Sequence, residues 1–224
     1  YTLELYFDFS GYSDMAIGVG KMFGIEIPEN FNSPYRAVSV KDFWKRWHMT
    51  LSRFLQTYVY FPLGGSRKGK LRTFVNTMIT FLVSGLWHGA NWTFVFWGFL
   101  HGLGVAAAGM AGNKKEGKSP QGKGTQNRAL RLLCQLATFS YVCMAFVFFR
   151  ADSIQDGFLL LSRIFSFRVD GKLSQMAAAM EPSEIYIVTK ALSLIAPSLV
   201  GAAQIAAMMF LLAVSFFVLS RKNT

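Results

Sequence analysis

Charge is scarce in this sequence of 224 residues: 16% are Asp, Glu, Lys or Arg, against about 25% in soluble proteins, while 52% are hydrophobic. That balance excludes an ordinary water-soluble domain and favours a membrane protein. Cysteine is nearly absent too. Cys134 and Cys143 share one apolar run and match no disulfide or metal-ligand spacing, so they read as small core residues. No Met, basic leader or cleavage site stands at Tyr1, so no signal peptide is visible and the chain is expected to be a fragment. There is no G-x-S-x-G elbow, H-E-x-x-H pair or EF-hand loop, which leaves serine hydrolase, zincin and calcium readings without support and no metal site expected.

Aromatic residues are abundant. The 22 Phe, 8 Tyr and 5 Trp crowd around long apolar runs instead of alternating with turn residues, which predicts membrane helices and argues against a β-barrel. The formal net charge of +11 raises the question of nucleic acid, and the placement of the charges answers it. Arg36, Lys41, Lys45, Arg46, Arg53, Arg67, Lys68, Lys70 and Arg72 face one acid, Asp42, between positions 32 and 72. A second basic stretch at 113–128 separates two apolar runs, and Arg221-Lys222 closes the last one. All three flank membrane segments, so they read as topology signals holding loops on the cytoplasmic side, with no nucleic-acid partner.

Along the chain, residues 1–24 form an apolar helix carrying Glu4 and Asp8 one turn apart, and 24–35 has loop chemistry at Pro28, Asn30, Asn32 and Pro34. From Val40 the apolar positions 40, 43, 44, 47, 51, 54, 55 and 58 follow helical periodicity for about five turns. Ser39 and Asp42 resemble a capping box at its start, Pro62 and Gly64-Gly65 end it, and the basic residues lie off the stripe, as in a helix at or dipping into the interface. His48 sits beside that stripe, where an anchored interfacial role is more natural than a catalytic one. Gly64 to Lys70 approaches a P-loop spacing, but Leu71 stands where a hydroxyl belongs and no strand precedes it; a tight basic surface turn is the better reading. Spans are expected at 74–87 and 91–112, at 130–149, and from about Ala202, the last preceded by an apolar segment broken at Pro197 and Gly201. Residues 150–183 fall on the far side of the membrane.

The strongest chemical signal is S-G-L-W-H-G-A-N-W at 84–92. If the first span of this pair starts near Phe74, His88 lies roughly 21 Å along it at 1.5 Å per residue, inside a hydrocarbon layer of about 30 Å. A polar ring there is costly, so a functional site is the default expectation, with an interhelical contact as the bland alternative. A buried neutral imidazole suits a general base, and Asn91, one turn on, is placed to orient it or to donate to an oxyanion, as is the Gly89 amide.

Five ordered blocks then carry a resemblance: F-D-F-S-G-Y-S-D-M-A-I-G at 7–18, E-N-F-N-S-P-Y at 29–35, F-W-K-R-W-H-M-T-L-S-R-F-L at 43–55, P-L-G-G-S-R-K-G at 62–69 and S-G-L-W-H-G-A-N-W-T-F at 84–94. Together they resemble the membrane-bound O-acyltransferases, in particular the alginate O-acetyltransferase branch, over about the first 105 residues. The resemblance implies an all-α polytopic membrane fold, with this chain as the carboxy-terminal half: a motif-bearing core at 1–112, a basic cytoplasmic loop at 113–128 and carboxy-terminal membrane helices at 129–224. It assigns the family's two signature histidines to His48 and His88. It further implies transfer of an acyl group, acetyl in this branch, from a cytoplasmic thioester such as acetyl-CoA to a hydroxyl of a cell-envelope polysaccharide or relay protein. No bound cofactor is implied. The implied partners are the lipid bilayer, the missing amino-terminal half and an extracytoplasmic acyl-relay or polysaccharide-modifying protein, in a bacterial inner membrane. Gln56-Thr57 departs from the branch, which carries a basic residue and Asp there. Two rivals remain at this level: a transporter or channel with Glu4, Asp8, His48 and His88 along a proton path, and an envelope scaffold.

Overall fold

A computed structural model describes residues 1–112, 128–166 and 183–220, and among these there is helix, turn and loop but no strand. The basic loop expected at 113–128 lies outside them except for Arg128, as do Arg221-Lys222 and residues 167–182. The long helices are α1 (Thr2–Met22), α4 (Lys70–His88), α5 (Trp92–Gly112), α6 (Arg128–Arg150) and α9 (Val200–Ser220). Short helices α2 (Val40–Trp44) and α3 (Met49–Leu55) lie between α1 and α4, and α7 (Ile154–Phe165) and α8 (Ser183–Ile195) precede α9. Tyr1–Leu161 forms one compact unit and Ser162–Arg221 a second.

Among the described residues, three segments, Trp92–Met110, Arg128–Arg150 and Pro197–Ser215, are long and apolar enough to cross a membrane. Helix α4 falls outside that group, because Lys70 and Arg72 in its first turn and a polar inner face both lower its hydropathy. Its buried residues are Asn76, Thr77, Thr80, Ser84 and Gly85, whereas Leu71, Val75, Ile79, Val83, Leu86 and Trp87 are exposed. In water that arrangement would be inverted; beside lipid it is the stable one, since hydrocarbon outside the protein solvates the apolar face. On this face Thr77 and Thr80 donate to the carbonyls of Thr73 and Asn76, while Asn76 Oδ1 and Ser84 Oγ are buried without a partner.

The pair α4 and α5 forms the expected hairpin, linked by Gly89 to Asn91. Its two backbones touch at glycines: a Cβ on Gly85 would collide with the Phe94 carbonyl, and one on Gly98 with the Phe81 carbonyl. Small residues are what permit such close approach. Helix α6 packs against α5, where the Tyr141 hydroxyl donates to the Leu100 carbonyl at 2.6 Å. The core lies between α2, α5 and α6, with Phe43, Trp97, His101, Val142 and Phe146 almost fully buried. Helix α1 joins through an aromatic cluster of Tyr6, Phe31, Tyr35 and Trp47, and Tyr35 donates its hydroxyl to the Thr2 carbonyl at 2.8 Å.

Two expectations are corrected. The helix read through 40–58 is broken: α2 ends at Trp44, the chain turns through 45–48, and α3 starts at Met49 before passing into a π-helical turn at Gln56–Tyr60. Half of the capping box at its start is present, the Asp42 N–H donating to Ser39 Oγ at 3.1 Å, while the Asp42 carboxylate accepts the Val38 N–H at 3.2 Å. In the second unit the helix breaks at Ala196 and the 3-10 turn Pro197–Leu199, whereas Gly201 sits inside α9. Proline removes a backbone donor and clashes with the preceding turn; glycine only lowers propensity. Helix α7, unread in the sequence, lies in the stretch assigned to the far side.

Candidate active site

The break after α2 is built by a different segment of the chain. His48 is the N-cap of α3 and holds φ +44°, ψ +55°, a left-handed conformation that costs a non-glycine residue about 1 kcal/mol or more. The loop at 30–32 compensates. The Asn30 carbonyl accepts the Met49 N–H at 3.0 Å, and the Asn32 N–H donates to the Arg46 carbonyl at 2.9 Å. Asn30 Oδ1 accepts the Thr50 N–H at 3.2 Å and the Thr50 hydroxyl at 2.9 Å, serving donors that a helix start leaves open. Arg46, ion-paired with Asp42 at 2.9 Å, braces the turn from the other side.

The same Asn30 oxygen lies 3.1 Å from His48 Nδ1. Because a backbone N–H can only donate, Oδ1 acts as acceptor, so a favourable contact requires the proton on His48 Nδ1. In the neutral ring that leaves Nε2 bare, a base or hydrogen-bond acceptor. His48 lies outside the three apolar spans, and burial pulls it down to about 4, the nearby His88 ring adding to the effect. It is therefore neutral near pH 7. Phe9 of α1 packs edge-on against it, ring centres 4.7 Å apart.

His88 closes the last turn of α4. Its ring is half-buried and walled by Trp87 at 4.9 Å, Trp97 at 5.2 Å and Phe149 at 5.0 Å, all near-perpendicular. Trp87 also meets the His48 ring, at 6.4 Å, so the two histidines predicted from the sequence, about forty positions apart, share one aromatic wall. No hydrogen bond within the described residues engages the His88 nitrogens, whereas the side chains around it are apolar rings. A neutral imidazole so placed has a lone pair available to whatever enters.

Neither predicted oxyanion donor stands ready. The Gly89 N–H is spent on the Leu86 carbonyl at 3.2 Å. Asn91 caps α5, its Oδ1 accepting the Thr93 N–H at 3.1 Å while Nδ2 donates to the Asp152 carbonyl at 3.3 Å. Sequence spacing placed Asn91 one turn from His88, but the helix ends between them. Glu4 and Asp8 are exposed on α1, and among the described residues no hydrogen bond or ion pair joins them to either histidine. The glycine-rich turn before α4 is held by Asn76, whose Nδ2 donates to the carbonyls of Leu63 and Gly65 at 3.1 and 2.8 Å.

A third histidine escaped the sequence reading. His101 on α5 is fully buried, and its Nδ1 accepts the Trp44 indole N–H at 3.1 Å. The signal that singled out His88, a polar ring in an apolar run, was present for it too.

One histidine on a glycine-packed hairpin and one on an adjoining strained turn thus share an aromatic wall among apolar helices, and the chain belongs to the membrane-bound O-acyltransferase family, whose model matches residues 1–114. Among curated relatives, it is 46% identical over 164 residues to a peptidoglycan O-acetyltransferase of Helicobacter pylori, covering 72% of this chain and 29% of that protein. It is 43% identical over 167 residues to a probable alginate O-acetylase of Pseudomonas aeruginosa, covering 75% and 30%, and 34% identical over 158 residues to a teichoic acid D-alanyltransferase of Bacillus subtilis, covering 66% and 39%. The chain thus spans about a third of the length of the curated relatives it matches.

Proposed function

We propose that this chain carries the acid–base centre of a membrane-bound O-acyltransferase, active in the full-length protein together with the amino-terminal helices its family fold requires. The donor is a cytoplasmic thioester, acetyl-CoA, and the acceptor a hydroxyl on a cell-envelope polysaccharide or relay protein reached from the opposite face of a bacterial inner membrane. The observation that supports this most is the unpartnered His88 ring, set in an aromatic wall shared with His48. Relatives that acylate peptidoglycan, alginate and teichoic acid support the acceptor class.

In this reading His88 takes the proton of the acceptor hydroxyl as its oxygen attacks the thioester carbonyl. The thiolate leaves as the tetrahedral intermediate collapses, and the proton on His88 passes to it. His48, with Nε2 bare, accepts an N–H or O–H of a bound substrate and so positions it.

The test is His88→Ala in the full-length protein, measured as labelled acetyl incorporated into envelope polymer and by the mass of that polymer. Loss of incorporation with normal membrane insertion is expected. Undiminished turnover would sink the assignment of the base, and solute flux in proteoliposomes without acyl product would return the transporter reading.

A further inference from the structure

Beyond the two signature histidines, we propose that His101 is a positioning residue for the same reaction: it registers the His48 turn against the His88 hairpin by accepting the Trp44 indole N–H. The proposal rests on the reading of His88 as the base.

The rings form a continuous chain. Trp97 meets His88 at 5.2 Å on one side and His101 at 4.9 Å on the other. His101 meets Trp44 at 5.2 Å, and Trp44 closes back on Trp97 at 5.8 Å. Trp44 ends α2, four residues before His48, and its carbonyl accepts the Ser52 hydroxyl at 3.2 Å across the break. Trp44 is therefore held twice, by its ring to α5 and by its backbone to α3, with His48 between. Motion of the indole would move the His48 turn relative to His88.

The chemistry of His101 explains why an imidazole stands there. Accepting the indole N–H requires a bare Nδ1, which puts the proton of the neutral ring on Nε2. That Nε2 is buried without a partner, as is Trp97 Nε1. An orphaned donor costs stability that Phe or Leu in the same aromatic cage would not. What the histidine contributes in return is the Nδ1 acceptor, without which the Trp44 N–H would be orphaned as well. Phe43, stacked on His101 at 6.3 Å and 14°, keeps the ring in the plane that aims Nδ1 at Trp44.

The experiment uses the full-length protein in membranes, with radiolabelled acetyl-CoA as donor and incorporation into envelope polymer as readout, for Trp44→Phe, His101→Leu, the double variant and His101→Asn, beside His88→Ala. Trp44→Phe and His101→Leu are each expected to lower kcat by about tenfold, the loss of one buried hydrogen bond felt in the transition state, with the KM for acetyl-CoA changed less than about twofold. The double variant should lose no more than either single one, because both remove the same bond. His101→Asn, whose side-chain oxygen falls near the Nδ1 position, should recover most of the rate. If His101→Leu fails to insert, Trp44→Phe decides. Wild-type kcat in inserted Trp44→Phe, additive losses in the double variant, or equal damage from Asn and Leu at position 101 would each overturn the proposal. With His88→Ala inactive, such a result removes only the role of His101; turnover in His88→Ala removes the base assignment instead.

Discussion

Replacing Asn30 by alanine removes one side-chain oxygen that serves three groups: the Thr50 N–H at 3.2 Å, the Thr50 hydroxyl at 2.9 Å and His48 Nδ1 at 3.1 Å. The hydroxyl can turn to water, since the site is only partly buried. The backbone N–H and the imidazole N–H are less free, and at about 0.5–1.5 kcal/mol per net hydrogen bond the loss comes to about 1–3 kcal/mol. Part of it falls on the left-handed turn at His48, which keeps the Asn30 carbonyl, Asn32 and the Arg46–Asp42 pair as braces. The rest falls on the tautomer: with no acceptor at Nδ1, the proton distributes over both nitrogens and the bare Nε2 is no longer guaranteed. In the full-length protein, kcat/KM for acyl transfer should fall about tenfold and the thermal midpoint should drop. Asn30→Asp keeps the acceptor and should preserve most of the rate while raising the basicity of His48, visible as a shift of the acidic limb of the pH profile. An Asn30→Ala protein with unchanged kcat/KM, or an Asp variant as damaged as the Ala one, would refute the reasoning.

Acid should destabilise the fold through His48. Its folded-state value lies near 4, below the unfolded value of about 6.5, so the contribution is intact above that unfolded value and is lost as pH falls from there toward 4. Thermal midpoints across that window should fall less steeply in His48→Gln than in the parent; equal slopes would exclude His48 as the cause. Gly98→Ala places a Cβ against the Phe81 carbonyl and should cost about 1–3 kcal/mol by prising α4 from α5, read by thermal unfolding in detergent. Gly109→Ala, where nothing lies within 4 Å, is the control and should be neutral or mildly stabilising. Asn76→Leu removes both bonds that hold the turn before α4, so limited proteolysis should cut faster at Arg67 or Lys68; an unchanged cleavage rate would show that the turn holds without them.

Much of the site was legible in local sequence. The pairing of 74–87 with 91–112 followed from two apolar runs around a short glycine-containing link, and His88 from the cost of a polar ring within them. The inverted face of α4 was half visible, as Asn76, Thr77, Thr80 and Ser84 recur at helical spacing, but which side they faced depended on α5. His48 was flagged as a position, yet its conformation was not. The apolar residues from Val40 to Tyr58 keep helical register through the break, so periodicity predicts one helix where there are two.

Composition and hydropathy are sums over neighbouring residues, so the sequence by itself determined that this is a helical membrane protein, where most of its helices run, and that His88 is a polar ring beside apolar runs. Hydrogen bonds between distant segments are not such sums. Asn30 opens the helix at His48 from eighteen positions away, and His101 reaches Trp44 across fifty-seven. Only the tertiary structure decided those partners, and with them the tautomers and spacing of the imidazoles. A side chain's partner depends on where other helices lie, and in this chain the arrangement of α2, α3 and α5 brought them within 3.1 Å.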